Sequence, residues 1–88
     1  MIKEKVIIKN EIGLHARPAT LFVNVADQYQ SDVRIIKDGM EVNGKSILSL
    51  LAIAAEKGSE VILIVEGKDE KKAFEDLKAV LEGTYEKR

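Results

Sequence analysis

The sequence has no cysteine and no tryptophan, and it has a single histidine and a single proline. Without cysteine a disulfide framework is excluded, and one histidine cannot complete the ligand set of a zinc site. The longest uninterrupted apolar run, residues 61–65, is far shorter than the roughly 20 residues of a transmembrane helix. We expect a domain that packing alone stabilises, with no metal, no cofactor and no membrane insertion.

The length and charge of the chain narrow its class further. Its 88 residues predict one domain, 1–88, and 45% apolar residues are too many for a disordered chain. Fourteen Lys plus Arg against fifteen Asp plus Glu give a net charge of −1, with the two signs interspersed. Nucleic acid is therefore an unsuitable partner. The first residues lack the apolar segment of a signal peptide, so we expect a cytoplasmic protein.

Hydrophobic periodicity and turn residues predict seven elements. Strands are expected at 5–9, 32–35, 40–42 and 61–65, and helices at 18–27, 47–55 and from about residue 70 to Gly83. The Asp38-Gly39 pair predicts a tight hairpin between the second and third strands. Ala19, Phe22, Val23 and Ala26 form the predicted core stripe of the first helix.

This order of elements favours an α+β fold. We expect an open-faced β-sandwich, in which a four-stranded, mainly antiparallel sheet carries all three helices on one face (βαββαβα). The other face would be solvated. A ferredoxin-like βαββαβ sandwich shares most of this order and remains the alternative.

His15 is the only side chain suited to nucleophilic chemistry at neutral pH. It stands in a loop just before a predicted helix, whose free N–H groups and dipole attract an anion. They also favour the neutral, nucleophilic imidazole, and Arg17 can bind phosphate oxygens with its planar guanidinium. These residues are consistent with a phosphohistidine site, although from spacing alone an ordinary surface histidine is the alternative. A metal site is disfavoured because Arg17 would repel a cation.

Two segments carry a family resemblance. Residues 13–20 read GLHARPAT and residues 43–51 read NGKSILSLL. The first resembles the active-site signature of the HPr family, the histidine-containing phosphocarriers of the bacterial phosphotransferase system, and the second resembles the regulatory-serine segment of that family. The chain length and the order of elements fit this family over essentially the whole chain.

The resemblance implies a phosphoryl carrier rather than an enzyme. His15 would accept a phosphoryl group on Nδ1 from phosphorylated enzyme I, with phosphoenolpyruvate as the ultimate donor, and pass it to enzyme IIA domains for sugar uptake. Arg17 would bind the phosphate. Because such a carrier must bind and leave several partners in turn, we expect weak binding and a monomer.

Ser46 is a predicted N-cap in front of the second helix. A plain cap is the simpler interpretation. The resemblance implies more, because in low-GC Gram-positive relatives an HPr kinase/phosphorylase phosphorylates this serine. That form slows histidine phosphorylation and acts as co-repressor for a catabolite-control transcription factor. A phosphate there would add about −1.5 to −2 charge beside the helix N-terminus and repel an acidic partner.

The second predicted helix is apolar on too many sides to be wholly buried. Helical periodicity places Ile47, Leu51, Ala54 and Ala55 on its core stripe. The resemblance instead assigns Ile47, Leu48 and Leu51 to a docking patch for enzyme I and enzyme II domains. Periodicity makes Leu51 the least secure member of this patch.

Two residues depart from the family pattern, and the sequence leaves two alternative functions open. Ile12 replaces a hydroxyl residue common in relatives, and Ser49 replaces a glycine, which adds a hydroxyl near Ser46. One alternative is a nitrogen-related phosphotransfer carrier. The other is a regulatory co-repressor that acts through phosphorylated Ser46, as in histidine-lacking paralogues, although the presence of His15 argues against this as the only role.

Overall fold

The fold has two layers, a four-stranded sheet and three helices. The computed structural model describes residues 1–9, 16–53 and 55–85. Along the chain the elements are β1 (Ile2–Ile7), α1 (Ala16–Ala26), β2 (Asp32–Lys37), β3 (Met40–Asn43), α2 (Ile47–Ala52), β4 (Glu60–Glu66) and α3 (Glu70–Glu82).

The sheet has the strand order β1-β4-β2-β3, and every observed pair is antiparallel. The central strand β4 pairs with β1 and β2, so that Ile62 lies beside both Lys5 and Ile36. The ferredoxin-like alternative is wrong, because that fold places β1 and β3 at the centre of its sheet, whereas β1 and β3 are the edge strands here. The predicted open-faced sandwich is confirmed.

The core lies between the sheet and the helices. Alternate strand residues such as Val33, Ile35 and Leu63 point into it and are fully buried. Phe22 of α1 and Leu77 of α3 meet them from the helical side, and both are fully buried too. The predicted core stripe of α1 is confirmed, since all four of its residues are buried.

The opposite face of the sheet is less solvated than the sequence predicts. Ile64 lies on it, yet only 3% of its surface is exposed. Its cross-strand neighbours are Lys3 and Arg34, whose long aliphatic stems can cover an apolar neighbour. The Arg34 guanidinium is held above the sheet by ion pairs to the carboxylates of Asp32 (3.0 Å) and Glu41 (3.4 Å).

The tight hairpin between β2 and β3 is confirmed. Asp38 and Gly39 both have positive φ angles, 51° and 81°. A type I′ turn requires this conformation at both central positions, and its twist matches that of the flanking strands. The α3 C-terminus also agrees with the prediction, because Gly83 is a left-handed C-cap at φ 76°.

Two helix boundaries differ from the prediction. Helix α1 begins at Ala16, so Arg17 is helical although it precedes a proline, a position where helical dihedrals are disfavoured but tolerated. Helix α2 ends at Ala52 rather than at residue 55. The chain leaves the helix after Ala52 and buries both Ile53 and Ala55 in the core. In a continued helix these residues, two positions apart, would not lie on the same side.

The connector between α1 and β2, residues 27–31, is held by the start of α3. One Asp69 carboxylate oxygen accepts hydrogen bonds from the backbone N–H (3.0 Å) and hydroxyl (2.5 Å) of Ser31, and the other accepts the N–H of Gln30 (2.9 Å). Asp69 makes no side-chain cap bond to its own helix. Its charge is therefore used to join two elements of the fold.

These bonds make stability depend on pH. The Ser31 hydroxyl, with the Gln30 N–H, lowers the pKa of Asp69 below its ordinary value. A lowered carboxyl pKa adds stability above the ordinary value near 4, and this stability is lost as pH falls through the lowered pKa. Asp69→Asn should therefore destabilise the protein at pH 7 and progressively less in the acid range.

Denaturant unfolding across pH 2–7 measures this effect. Glu56→Gln, at an exposed carboxylate, serves as the control and should leave the profile unchanged. A wild-type advantage over Asp69→Asn that stays constant down to the most acidic point would contradict the account.

Candidate functional site

The predicted nucleophile precedes the first residue of a helix. Helix α1 begins at Ala16, immediately after His15. His15 itself, with residues 10–14, lies outside the described residues. The N–H groups in the first turn of a helix have no intrahelical partner, and α1 has no acidic side chain in that turn. The turn therefore offers a positive end that its own side chains leave uncompensated.

Arg17 is exposed in this first turn, while its neighbour Pro18 is buried. Thr20, Leu21 and Asn24 are exposed on the same face, at the i+3, i+4 and i+7 positions that line one side of a helix. The face thus presents a guanidinium at the helix start, with one apolar and two polar side chains behind it. An anion held at residue 15 would lie beside the positive N-terminal end of α1. Arg17 follows that position by two residues.

Ser46 is confirmed as the N-cap of α2. Its backbone is extended (φ −118°, ψ 116°), and its hydroxyl accepts the Ser49 N–H at 3.2 Å. Leu50 donates its N–H to the Ser46 carbonyl at 3.1 Å, which begins the helical bonding. The side chain is half-buried. The cap is therefore formed as predicted, and its hydroxyl stands at the edge of the protein surface.

The apolar face of α2 points away from the core. Leu48 is 81% exposed, and Ile47 and Leu51 are each 37% exposed. The periodicity-based core stripe is therefore wrong for Ile47 and Leu51, because Leu50 and Ile53 are buried in their place. A helix of six residues shows too few turns for its pattern to reveal which apolar side is inward. Ala54, also on that stripe, lies outside the described residues.

Sequence reasoning missed two residues of this region. Leu21 is 38% exposed on α1, which packs against α2. Its signal was visible, because it is an apolar residue off the core stripe. The Lys45 ammonium donates a hydrogen bond to the Tyr29 carbonyl oxygen, with an N···O distance of 2.8 Å. No periodicity could have found that contact between residues 16 positions apart.

A groove of about 500 Å³ lies away from these residues, on the open sheet face beside Ile36 and Ile62. Its charges are paired, Lys5 with Glu60 and Lys37 with Asp38. Within residues 1–9, 16–53 and 55–85, no cluster of metal-ligating side chains occurs and no helix is long and apolar enough to span a membrane.

Comparison with known proteins identifies this arrangement. A family model described as the PTS HPr component phosphorylation site matches residues 2–83. The HPr-like protein Crh of Bacillus subtilis is 46% identical over 82 residues, which cover 93% of this chain and 96% of Crh. The phosphocarrier protein HPr of Treponema pallidum is 38% identical over 86 residues, or 98% of each chain.

Solved structures agree with the sequence matches. HPr-C-His from Thermoanaerobacter tengcongensis superposes with a TM-score of 0.90 at 38% identity, covering 100% of this chain and 99% of the other. An HPr dimer from the same organism gives 0.75 at 38% identity, covering 99% and 100%. Since the family model and full-length relatives match almost the whole chain, the protein belongs to the HPr family of phosphocarriers.

Proposed function

We propose that the chain is a cytoplasmic phosphoryl carrier that accepts a phosphoryl group on His15 from phosphorylated enzyme I and passes it to enzyme IIA domains. The observation that supports this most is the start of α1 directly after His15, with Arg17 exposed and no acidic residue in the first turn. An imidazole there is favoured in its neutral, nucleophilic form.

In the proposed phosphoryl transfer, the carrier supplies only the nucleophile and the groups that stabilise the bound phosphate. The His15 Nδ1 lone pair forms a bond to phosphorus as the bond to the donor group of enzyme I breaks, and the donor keeps its electron pair. The dianionic product is stabilised by the positive end of α1 and by Arg17. The second step reverses this on an enzyme IIA domain. Because partner proteins supply the other catalytic groups of each reaction, the carrier is not an enzyme. We retain the prediction of a monomer.

His15 and Arg17 have separable roles in this proposal. With phosphoenolpyruvate, magnesium and a bacterial enzyme I, the wild type should gain one acid-labile phosphate by intact mass, and His15→Ala should gain none while remaining folded. Arg17→Ala should still be phosphorylated, about 10–100-fold more slowly, corresponding to about 1.5–3 kcal/mol for hydrogen bonds to a charged group. Arg17→Lys should recover only part of this rate. An acid-labile phosphate on His15→Ala would refute the assignment.

The docking role of α2 rests on the outward-facing Ile47, Leu48 and Leu51. Leu48→Ser should raise the KM of enzyme I for the carrier by about 5–30-fold, equivalent to about 1–2 kcal/mol of lost apolar burial, with little change in kcat. Its stability should barely change, because Leu48 is already exposed.

Met40→Ser is the matched control, since Met40 is also an exposed apolar residue, 50% exposed, but stands at the β2–β3 turn. Unaltered steady-state kinetics for Leu48→Ser, or an equal effect of Met40→Ser, would exclude α2 as the docking surface.

A regulatory role for Ser46 is the second candidate, favoured by its half-buried hydroxyl at the α2 cap and by the high identity to an HPr-like protein, Crh. An HPr kinase/phosphorylase would phosphorylate it, and the product would act as co-repressor for a catabolite-control transcription factor. The added charge would stand beside Ile47 and repel an acidic partner.

Incubation with ATP and such a kinase should therefore add one acid-stable phosphate to the wild type and to Ser49→Ala, but none to Ser46→Ala. The phosphorylated wild type should accept phosphate from enzyme I more slowly. Ser46→Ala should also lose about 1 kcal/mol of unfolding free energy with its cap bond. Modification that follows Ser49 instead would remove the regulatory assignment.

A further inference from the structure

Helix α2 is weakly anchored for an element that meets partners. Within its six residues only Leu50 is buried, whereas Ile47, Leu48 and Leu51 face outward. A helix this short is not stable by itself, because the free-energy cost of nucleating it exceeds the stabilisation from its few hydrogen bonds. Besides its packing on α1 and the burial of Ile53 after it, the position of α2 depends on the segment that leads into it.

That lead-in segment, residues 43–46, is tightly bonded. The Asn43 side-chain oxygen accepts the Lys45 N–H at 2.9 Å, and the Asn43 carbonyl accepts the Ser46 N–H at 3.2 Å. Gly44 donates its N–H to the Val33 carbonyl at 2.8 Å and lies so close to Val33 that a Cβ would overlap its side chain. These bonds fix the turn to itself and to β2.

Among the described hydrogen bonds of this turn, only that of the Lys45 side chain reaches the end of α1. Its ammonium donates to the Tyr29 carbonyl at 2.8 Å in a partly buried position. Tyr29 follows α1, and its N–H bonds to the Ala26 carbonyl at 3.1 Å. Helix α1 has no basic residue in its own last turn, so Lys45 provides the cation that favours the C-terminal end of a helix.

Tyr29, which accepts the Lys45 hydrogen bond, is itself held by helix α3. The Tyr29 hydroxyl donates a hydrogen bond to the Asp76 carboxylate of α3. Burial, this bond and the surrounding negative charge raise the pKa of Tyr29 to about 12, so it stays a donor at neutral pH. A displaced Lys45 would therefore release α2 from a fixed point, rather than move Tyr29 with it.

We propose that Lys45 is a positioning residue, which holds the docking face of α2 in a set orientation relative to α1 and to Arg17 through the Tyr29 carbonyl. A partner that binds both helices would then meet a preformed surface. This inference rests on the proposed docking role of α2, and it assigns Lys45 no contact with the phosphoryl group.

Hydrogen exchange in the free protein tests the tether without any partner. Lys45→Met keeps a long side chain and removes the ammonium. The Ser49 and Leu50 amides, bonded to Ser46, should exchange about tenfold faster, a factor equal to about 1.4 kcal/mol, within the range of a hydrogen bond to a charged group. The Thr84 amide at the end of α3 should be unchanged. Lys45→Arg should restore protection.

Kinetics with enzyme I test the positioning role. Lys45→Met should raise KM at least threefold and leave kcat within about twofold, because the phosphoryl site is intact. Lys45→Arg should recover the wild-type KM. Lys37→Met is the control, since it removes the same charge from an ion pair at the β2–β3 turn and should change neither constant.

The two arms separate this inference from the proposed function. Unchanged exchange in Lys45→Met overturns the tether, and so does faster exchange with an unchanged KM, which would make the contact merely structural. An equal KM effect of Lys37→Met would show a general charge effect and overturn it too. If enzyme I fails to phosphorylate even the wild type, the carrier function fails, and positioning for docking fails with it, whatever the exchange data show.

Discussion

One carboxylate joins the segment that follows helix α1 to helix α3. Asp69, at the start of α3, uses both oxygens to hold Gln30 and Ser31, the residues through which the chain passes from α1 into β2. Gly67 supports this contact, because any Cβ there would lie 2.7 Å from the Ser31 Cα. Together with the direct packing of α1 on α3, which itself packs on β1 and β4, these bonds hold the C-terminal end of α1 in place.

A fixed α1 has electrostatic consequences at both ends. Its first turn contains no acidic side chain to neutralise the positive end, and its last turn contains no basic one. Lys45 supplies the missing cation at the C-terminal end, whereas at the N-terminal end the proposed phosphoryl group on His15 would supply the anion. A phosphate there would be stabilised by the helix terminus itself, which suits the proposed carrier, because it must present the group to different partners.

Much of the architecture could be predicted because local signals decide it. The Asp38-Gly39 turn, the Ser46 cap and the Gly83 stop each follow from the conformational preference of one or two residues. Periodicity could not predict the outward face of α2, since six residues give an ambiguous period and the burial of Ile53 depends on where the chain leaves the helix. The family resemblance did assign Ile47, Leu48 and Leu51 to an exposed patch.

The contacts that position the candidate site were also invisible in the sequence. Asp69 and Ser31 are 38 residues apart, and Lys45 and Tyr29 are 16 apart, so neither pair shares a periodic pattern. Asp69 stands at the N-cap position of α3, yet its side chain makes no cap bond there. For the site itself, the residue types and the family resemblance assign His15, whereas the described structure adds the helix start beside it.

The most direct test of the account is phosphorus NMR of the chain, labelled with ¹⁵N-histidine and phosphorylated by enzyme I and phosphoenolpyruvate. The account predicts one phosphorus resonance coupled to the Nδ1 nitrogen of His15, which disappears on mild acid treatment. A resonance with the behaviour of a serine phosphate ester, or none with an enzyme I shown to be active on another carrier, would contradict it.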